Sequence, residues 1–286
     1  MLALQLLVTG VVTGCSLGVV AISFSLIYAT TKIFHVAHAG IYTLGGYLAW
    51  SLVVYGAPVL VAAIVAIAAC AALGALIQSQ LYARLEYRRA THLVVLIASL
   101  GALAVMQNII AAIYTPNILQ FPIEWSRRMV SLGAVRLNYT QILTIFTSVA
   151  AYVGTMLFAH RTILGKRIRA VASNPMLADI TRLQPQTVYI YVIAIASALV
   201  CLPGILVPLD LGLQPYNGVT PLLTATIAMI AGGVGSITGA FVLSVAIAVV
   251  QNLSLLVMPG EWSIGVTFFI FVVFMLFRPT GLFTAR

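Results

Sequence analysis

The sequence predicts an all-α, polytopic integral membrane protein with about eight transmembrane helices, in a range of seven to nine. Hydrophobic residues make up 62% of the chain and charged residues 7%, whereas a soluble domain carries roughly 25% charged residues. Apolar stretches close to the ~20 residues that a spanning helix needs recur along the whole chain. This composition argues against a water-soluble fold and for a single membrane domain over 1–286.

Nine apolar segments are candidates for membrane helices. The first is too long for a cleaved signal peptide, and no Lys or Arg precedes it. The seventh is short, and we expect it to be a re-entrant or half helix. The approximate bounds are 6–30, 35–55, 58–81, 93–114, 140–159, 187–208, 218–233, 236–258 and 262–277.

The basic residues lie between these segments and form no continuous patch, so no nucleic-acid partner is expected. If 161–182 is cytoplasmic, strict alternation over nine crossings leaves only Arg127, Arg128 and Arg136 of the fourteen Lys and Arg residues outside. Because basic residues concentrate in cytoplasmic loops, this distribution predicts an outside N-terminus and an inside C-terminus.

Glycines recur every four residues in the first segment. Gly10, Gly14 and Gly18 share a helix face, and small residues at this spacing let a second helix approach closely. The string "GCSLG" also fits the GxSxG pattern of serine hydrolases, with Ser16 as the nucleophile. That chemistry needs a strand-to-helix turn beside a His and an acid, so an intramembrane hydrolase is the weakest hypothesis.

Neither glycine-containing loop motif predicts nucleotide binding. "GGVGSITGA" at 232–240 contains no lysine, and "LGKR" at 164–167 lacks the upstream glycine and the following Ser or Thr of a phosphate-binding loop. Gly235 and Gly239 are instead predicted to form a second helix-packing face or a break between half helices. No cofactor is expected.

Polar side chains within the apolar segments are candidates for a translocation path. His35 and His38 lack a third ligand, so no metal site is expected, but a histidine at membrane depth usually faces a cavity or a partner. A zwitterionic solute needs neutral hydrogen-bonding groups when it leaves water. The predicted path residues are His38, Gln107, Asn108 and Asn252.

None of the five acidic residues falls in the middle of an apolar segment. Proton- and sodium-driven carriers typically place a coupling carboxylate there. The chain therefore shows no energy-coupling site of its own, and an external source of energy is expected.

Charge is concentrated in "RTILGKRIRAVASNPMLADITR", which holds five of the fourteen basic residues at 161–182. Asn174 suits an N-cap and Pro175 the first helical position, while Pro185 bounds the next helix. These signals predict a helix over 175–183 with Met176, Ile180 and Leu183 on one side. Such a helix either lies on anionic lipid or docks a cytoplasmic partner, and the lack of nucleotide chemistry favours docking.

The same stretch resembles the cytoplasmic loop of ATP-binding cassette (ABC) importer permeases of the branched-chain amino acid type. "HVAHAGIYTLGGY" at 35–47, "TPLLTATIAMIAGGVGSITGA" at 220–240 and "FRPTGLF" at 277–283 agree with it. The chain departs from the family where a Gly-Ile is expected after the loop motif and where an acid is expected after His38.

The resemblance implies a heteromeric importer in the bacterial inner membrane. A second homologous permease subunit would complete the path, two cytoplasmic ABC ATPases would supply energy, and an extracytoplasmic binding protein would deliver substrate. The implied coupling loop spans 161–185. Its predicted ATPase-coupling residues are Gly165, Arg169, Asn174, Met176, Ala178, Ile180 and Leu183.

The sequence therefore predicts a transport subunit for branched-chain or other small neutral amino acids, embedded in lipid, with ATP hydrolysed by partner chains. Permeases for urea and short amides belong to the same family and stay open as alternatives. A self-sufficient channel or secondary carrier is the competing hypothesis from another class.

Overall fold

The computed structural model describes residues 1–123, 125–133, 135–278 and 281–283. A π-helical segment, Ile77–Tyr82, joins α3 to α4, and an antiparallel hairpin pairs β1 (Met129–Leu132) with β2 (Val135–Asn138). The α-helices are α1 Leu2–Thr31, α2 His38–Val54, α3 Val59–Leu76, α4 Ala83–Tyr87, α5 His92–Tyr114, α6 Tyr139–Arg161, α7 Ile163–Ser173, α8 Pro175–Ile180, α9 Pro185–Leu211, α10 Val219–Gly232, α11 Ile237–Ser254 and α12 Ser263–Phe277.

Each of the nine predicted apolar segments forms a helix, so the all-α membrane fold is confirmed. In the described chain, seven helices are long and apolar enough to cross a membrane: α1, α3 continued to Tyr87, α5, α6, α9, α11, and the stretch Gly260–Phe277. The other two are shorter, with 17 residues in α2 and 14 in α10. The β-hairpin was not predicted.

The two ends of the helix bundle are distinguished by the segments they carry. At the hairpin face, the Gln5 side chain donates to the carbonyl of Arg136 at 2.8 Å and accepts from its N–H at 2.9 Å. At the opposite end, the loop face, α7 and the α10–α11 turn line one cavity, and the N–H of Phe283 donates to the carbonyl of Gly232. Met1 and Phe283 therefore lie at opposite faces, as strict alternation of nine crossings requires.

The glycines of α1 lie against α11 almost backbone to backbone. A Cβ at Gly14 would lie 2.5 Å from the Cα of Val245, and one at Gly10 would lie 2.8 Å from the Cα of Val249. A Cβ at Gly18 would overlap the ring of Phe241. Only glycine permits this separation of the two helices without displacement of α11.

The second glycine group serves two different parts of the fold. Gly239, in the first turn of α11, packs on the backbone of Gly232. Gly235 lies in the turn between α10 and α11 instead of on a helix face, with φ of 86°. Its N–H donates to Ser25 Oγ at 3.2 Å, which ties the turn to α1.

Candidate translocation path and coupling surface

The chain between α1 and α2 turns back into the bundle. Nε2 of His38, the first residue of α2, lies 2.8 Å from Oγ of Ser23. Ser23 precedes the end of α1 at Thr31 by eight residues, which is about 12 Å of helix. Helix α2 therefore begins at membrane depth, and this is why it is shorter than a full span.

A buried polar network fastens this re-entrant turn. His35 Nδ1 lies 2.7 Å from the hydroxyl of Tyr82, which donates to Ser99 Oγ at 2.8 Å. Ser99 Oγ also accepts the N–H of Ala37 at 3.0 Å. Among the described residues, His35 Nε2 and His38 Nδ1 have no hydrogen-bond partner. The network links the turn to the π-helical end of α3 and to α5.

Helix α10 also begins inside the bundle. A Cβ at Gly218, its N-cap, would meet the carbonyl oxygen of Ala39 and would lie 2.7 Å from Thr43 Oγ1, in the first turns of α2. From there α10 runs to the loop face. The N-termini of two partial helices thus meet near the middle of the membrane, an arrangement typical of substrate sites in transporters.

An exposed polar segment leads from the hairpin face to this junction. Leu213 pairs with Leu119 near the outer end of α9, with N–H to carbonyl distances of 2.7 and 3.1 Å. Gln214, Tyr216 and Thr220, which follow, are exposed. Polar groups at membrane depth are tolerated where they line a water-filled cavity or contact a partner.

This segment was not predicted, because residues 218–220 at its end were assigned to the seventh apolar stretch. Gly212, Pro215, Asn217 and Gly218 form a cluster of helix-breaking residues between two apolar runs. Such a cluster is the usual signal for a loop. The sequence thus contained a marker for the break, although not for its depth.

The predicted path residues are not brought together in one place. Gln107 is buried, and its Nε2 has no partner in the described chain. Asn108 is exposed on α5 and donates to the carbonyl of Ala104 at 2.8 Å. Asn252 donates to Ala248 at 2.9 Å and lies beside Gly10. Gly10 is thirteen residues from Ser23 on α1, so Asn252 lies about 20 Å from His38 along the helix axis.

The elbow between α6 and α7 begins the segment predicted to be the coupling loop. Thr162 caps α7 by accepting the N–H of Gly165 at 3.0 Å. A Cβ at Gly165 would lie 2.7 Å from the carbonyl oxygen of Ala159, so this tight elbow requires glycine. Arg169 is exposed, and its Nη1 lies 3.4 Å from Nδ1 of His160.

Helix α8 begins and ends with well-defined caps. Asn174 Oδ1 accepts the N–H of Leu177 at 3.0 Å, the predicted N-cap contact. Arg182 adopts φ of 62°, and the N–H of Leu183 donates to the carbonyl of Ala178 at 3.0 Å. With the N–H of Arg182 donating to the carbonyl of Asp179 at 2.9 Å, the bond from Leu183 forms a Schellman C-cap. The helix therefore ends at Ile180, three residues earlier than predicted.

The early end changes which residues α8 presents. Met176 is 77% exposed, Leu177 58% and Ile180 74%, whereas Ala178 is buried. Leu183 packs against the hydrophobic core, because the C-cap turns it inward. The prediction that it shares the exposed face was therefore wrong. Leu177 takes its place. We refer to Met176, Leu177 and Ile180 as the α8 knob.

Comparison with known proteins identifies the chain. Residues 6–275 match the family model for the permease component of branched-chain amino acid transport systems. The chain belongs to this family. It is 26% identical to the high-affinity branched-chain amino acid transport system permease protein BraD of Pseudomonas aeruginosa, over 98% of this chain and 95% of BraD. It is 23% identical to LivH of Escherichia coli K12, a permease protein of the same description, over 98% of this chain and 94% of LivH.

A solved structure supports the fold independently. PsaBC from Streptococcus pneumoniae, determined in complex with Fab, aligns with a TM-score of 0.54 and 15% identity over 95% of this chain and 91% of that chain. Family membership confirms the resemblance seen in the sequence. The chain is a multi-pass membrane subunit of a transport system and is not an enzyme.

Proposed function

We propose that this chain is a permease subunit of an ABC importer that carries branched-chain or other small neutral amino acids across the bacterial inner membrane. The observation that carries the proposal is the match over almost the whole chain to BraD and LivH, both named as branched-chain amino acid permeases. The geometry of the mid-membrane junction supports it independently of these names.

The polarity of the junction suits a zwitterion. Among the described residues, Asp, Glu, Lys and Arg occur only at the ends of the spanning helices or outside them, so the described helices offer only neutral groups in the middle of the membrane. The α10 N-terminus carries partial positive charge, which favours a carboxylate. Gln214, Tyr216 and Thr220 add neutral polar groups beside it. We therefore add these three residues to the proposed path residues His38, Gln107, Asn108 and Asn252.

The exposed polar segment also supports pairing with a second permease subunit. In a lone subunit, the polar groups of 214–220 would face lipid, where unsatisfied hydrogen-bonding groups cost several kcal/mol. A second, homologous subunit on this side would enclose them in a shared aqueous path. The extracytoplasmic binding protein would then deliver substrate at the hairpin face.

The α8 knob supports an ATPase as the energy source. Three large apolar side chains project from a capped six-residue helix on the loop face, and protein interfaces commonly rest on a few such anchors. Buried Gly165 and Ala178, together with exposed Arg169 and Asn174, form the elbow and the caps that position the knob. We propose that one ATPase docks on the knob of each permease subunit.

Uptake by the reconstituted complex tests the proposal. Proteoliposomes would contain this chain, its partner permease and the ATPases, with the binding protein outside and ATP inside. We expect accumulation of labelled leucine only when ATP and the ATPases are both present. Uptake of urea or acetamide in place of leucine would move the assignment to the amide permeases. Leucine uptake without the ATPases would establish a channel or carrier and contradict the proposal.

A further inference from the structure

A cavity of about 550 Å³ opens at the loop face between α1, the α6–α7 elbow and the α10–α11 turn. This volume is within the range of about 300–1,000 Å³ typical of ligand pockets. It lies apart from the mid-membrane junction and does not include the α8 knob. Gly165 and Arg169 of the proposed coupling loop line it, but none of the three knob residues does.

The depth of the cavity matches the boundary between lipid headgroups and acyl chains. Its wall follows α1 from Ser25 to Lys32, which covers about the last 9 Å of that helix. The 30 residues of α1 extend about 45 Å, whereas the hydrocarbon core of a bilayer is about 30 Å thick. The end of α1 that borders the cavity therefore reaches the headgroup region.

The charge at the cavity is of one sign. Lys32 and Arg169 both line it, and none of the described residues that line it is acidic. His160 also lines the cavity, and its Nδ1 lies 3.4 Å from the Arg169 guanidinium. The hydroxyl group of Ser236, whose oxygen accepts the N–H of Gly239, also lines the cavity and adds a donor. Basic pockets between transmembrane helices on the cytoplasmic side are typical binding sites for anionic lipid headgroups.

The remaining wall is apolar and continues onto the outside of the bundle. Met156 lines the cavity and is also exposed on α6. Phe146, Val149 and Val153 are exposed at spacings that place them in one stripe with Met156. An acyl chain could thus run from the cavity along the apolar stripe of α6. Neither a free phosphate ion nor an acidic side chain would need such a stripe.

We propose that this cavity binds one anionic phospholipid, with its phosphate between Lys32 and Arg169 and one acyl chain along α6. The bound lipid would connect the end of α1, the elbow that carries the coupling loop and the α10–α11 turn. The inference rests on the proposed function in one respect: the proposed function makes the loop face cytoplasmic, so the lipid comes from the cytoplasmic leaflet.

Lipid binding to the purified full chain tests this inference without transport. Native mass spectrometry would compare dioleoyl phosphatidylglycerol with dioleoyl phosphatidylcholine, which has the same acyl chains. We expect tighter binding of phosphatidylglycerol. Because one cation near an anionic lipid surface contributes about 1 kcal/mol, Lys32→Gln and Arg169→Gln should each weaken that binding about fivefold.

Lys166→Gln is the matched control, since Lys166 is exposed on α7 and does not line the cavity. The Lys166→Gln variant should bind phosphatidylglycerol within about twofold of the wild type, because Lys166 does not contact the proposed site. Each variant is first shown to keep the wild-type melting temperature in phosphatidylcholine. If one of the two cavity variants does not fold, the other alone tests the site. Equal binding of the two lipids, or equal losses in Lys32→Gln and Lys166→Gln, would overturn the proposal. Displacement of the lipid by inorganic phosphate would assign the site to a free anion instead.

These outcomes are separable from those of the uptake experiment. A chain that carried leucine without ATPases would still bind the lipid if the cavity is built for it. Conversely, an ABC importer with no lipid preference would keep the proposed function and lose only this site.

Discussion

Replacement of Ile180 by aspartate provides the sharpest test of ATPase docking on the α8 knob. Ile180 is 74% exposed in the isolated chain, and it is the last residue of α8 before the C-cap. Aspartate at this exposed position would disturb few contacts within the chain, so the permease should still fold and insert. Its effect should appear only when a partner covers the knob.

The expected loss can be estimated from burial in the interface. Full burial of an isoleucine side chain contributes about 2 kcal/mol, and an unpaired carboxylate in an interface costs several kcal/mol more. A combined loss of at least about 4 kcal/mol corresponds to about a thousandfold in affinity. At this magnitude, Ile180→Asp should abolish co-purification of the ATPase and substrate-stimulated ATP hydrolysis.

Ile163→Asp is the matched control. Ile163 is 72% exposed at the start of α7, on the same loop face, and is outside the α8 knob. The same substitution there should leave the complex and its hydrolysis rate close to those of the wild type. If α8 only rests on lipid, the two variants will behave alike and the ATPase will stay bound. That result would refute ATPase coupling through the knob and favour a carrier.

Three further predictions concern topology, packing and the path. A cysteine introduced at Ser173, which is exposed on the loop face, should resist membrane-impermeant thiol reagents in intact cells and react after permeabilisation; labelling in intact cells would place this face outside. Gly14→Ala should lower the melting temperature, because its Cβ would lie 2.5 Å from the Cα of Val245 and overpacking costs about 1–3 kcal/mol. Gly154→Ala is its control, because no atom of the described residues lies within 4 Å of a Cβ there, and it should be neutral or stabilising. Alanine at His38, Gln107 or Asn252 should reduce substrate uptake in proteoliposomes while the complex still assembles. Normal uptake in all three variants would contradict the path hypothesis.

The sequence predicted the membrane helices well because lipid restricts the secondary structure that an apolar segment can adopt. Every backbone polar group in the hydrocarbon region must be satisfied within its own segment, so an apolar run of sufficient length forms a helix. The short seventh segment was visible for the same reason, since 218–233 is too short to span. The caps of α8 at Asn174 and Pro175 were predictable because they depend on neighbouring residues only.

The α8 knob shows where local reasoning stopped. The sequence contains no glycine at the end of α8, and the left-handed residue that ends it is Arg182. Left-handed backbone at a non-glycine residue is uncommon, so Arg182 gave no stop signal and the predicted helix ran to 183, up to the boundary set by Pro185. Whether Leu183 faces outward depends on that one backbone angle.

The sequence by itself determined that this chain is a membrane permease, which segments form apolar helices and where α1 can approach another helix. Only the tertiary structure decided that α11 is the partner of Gly14, that α2 and α10 begin at the same depth, and that Asn252 lies far from His38. It also brought Lys32 and Arg169 to one cavity from positions 137 residues apart. Crossing a membrane is set by the composition of each segment, whereas depth and proximity depend on contacts between segments that are distant in sequence, and no local pattern encodes those contacts.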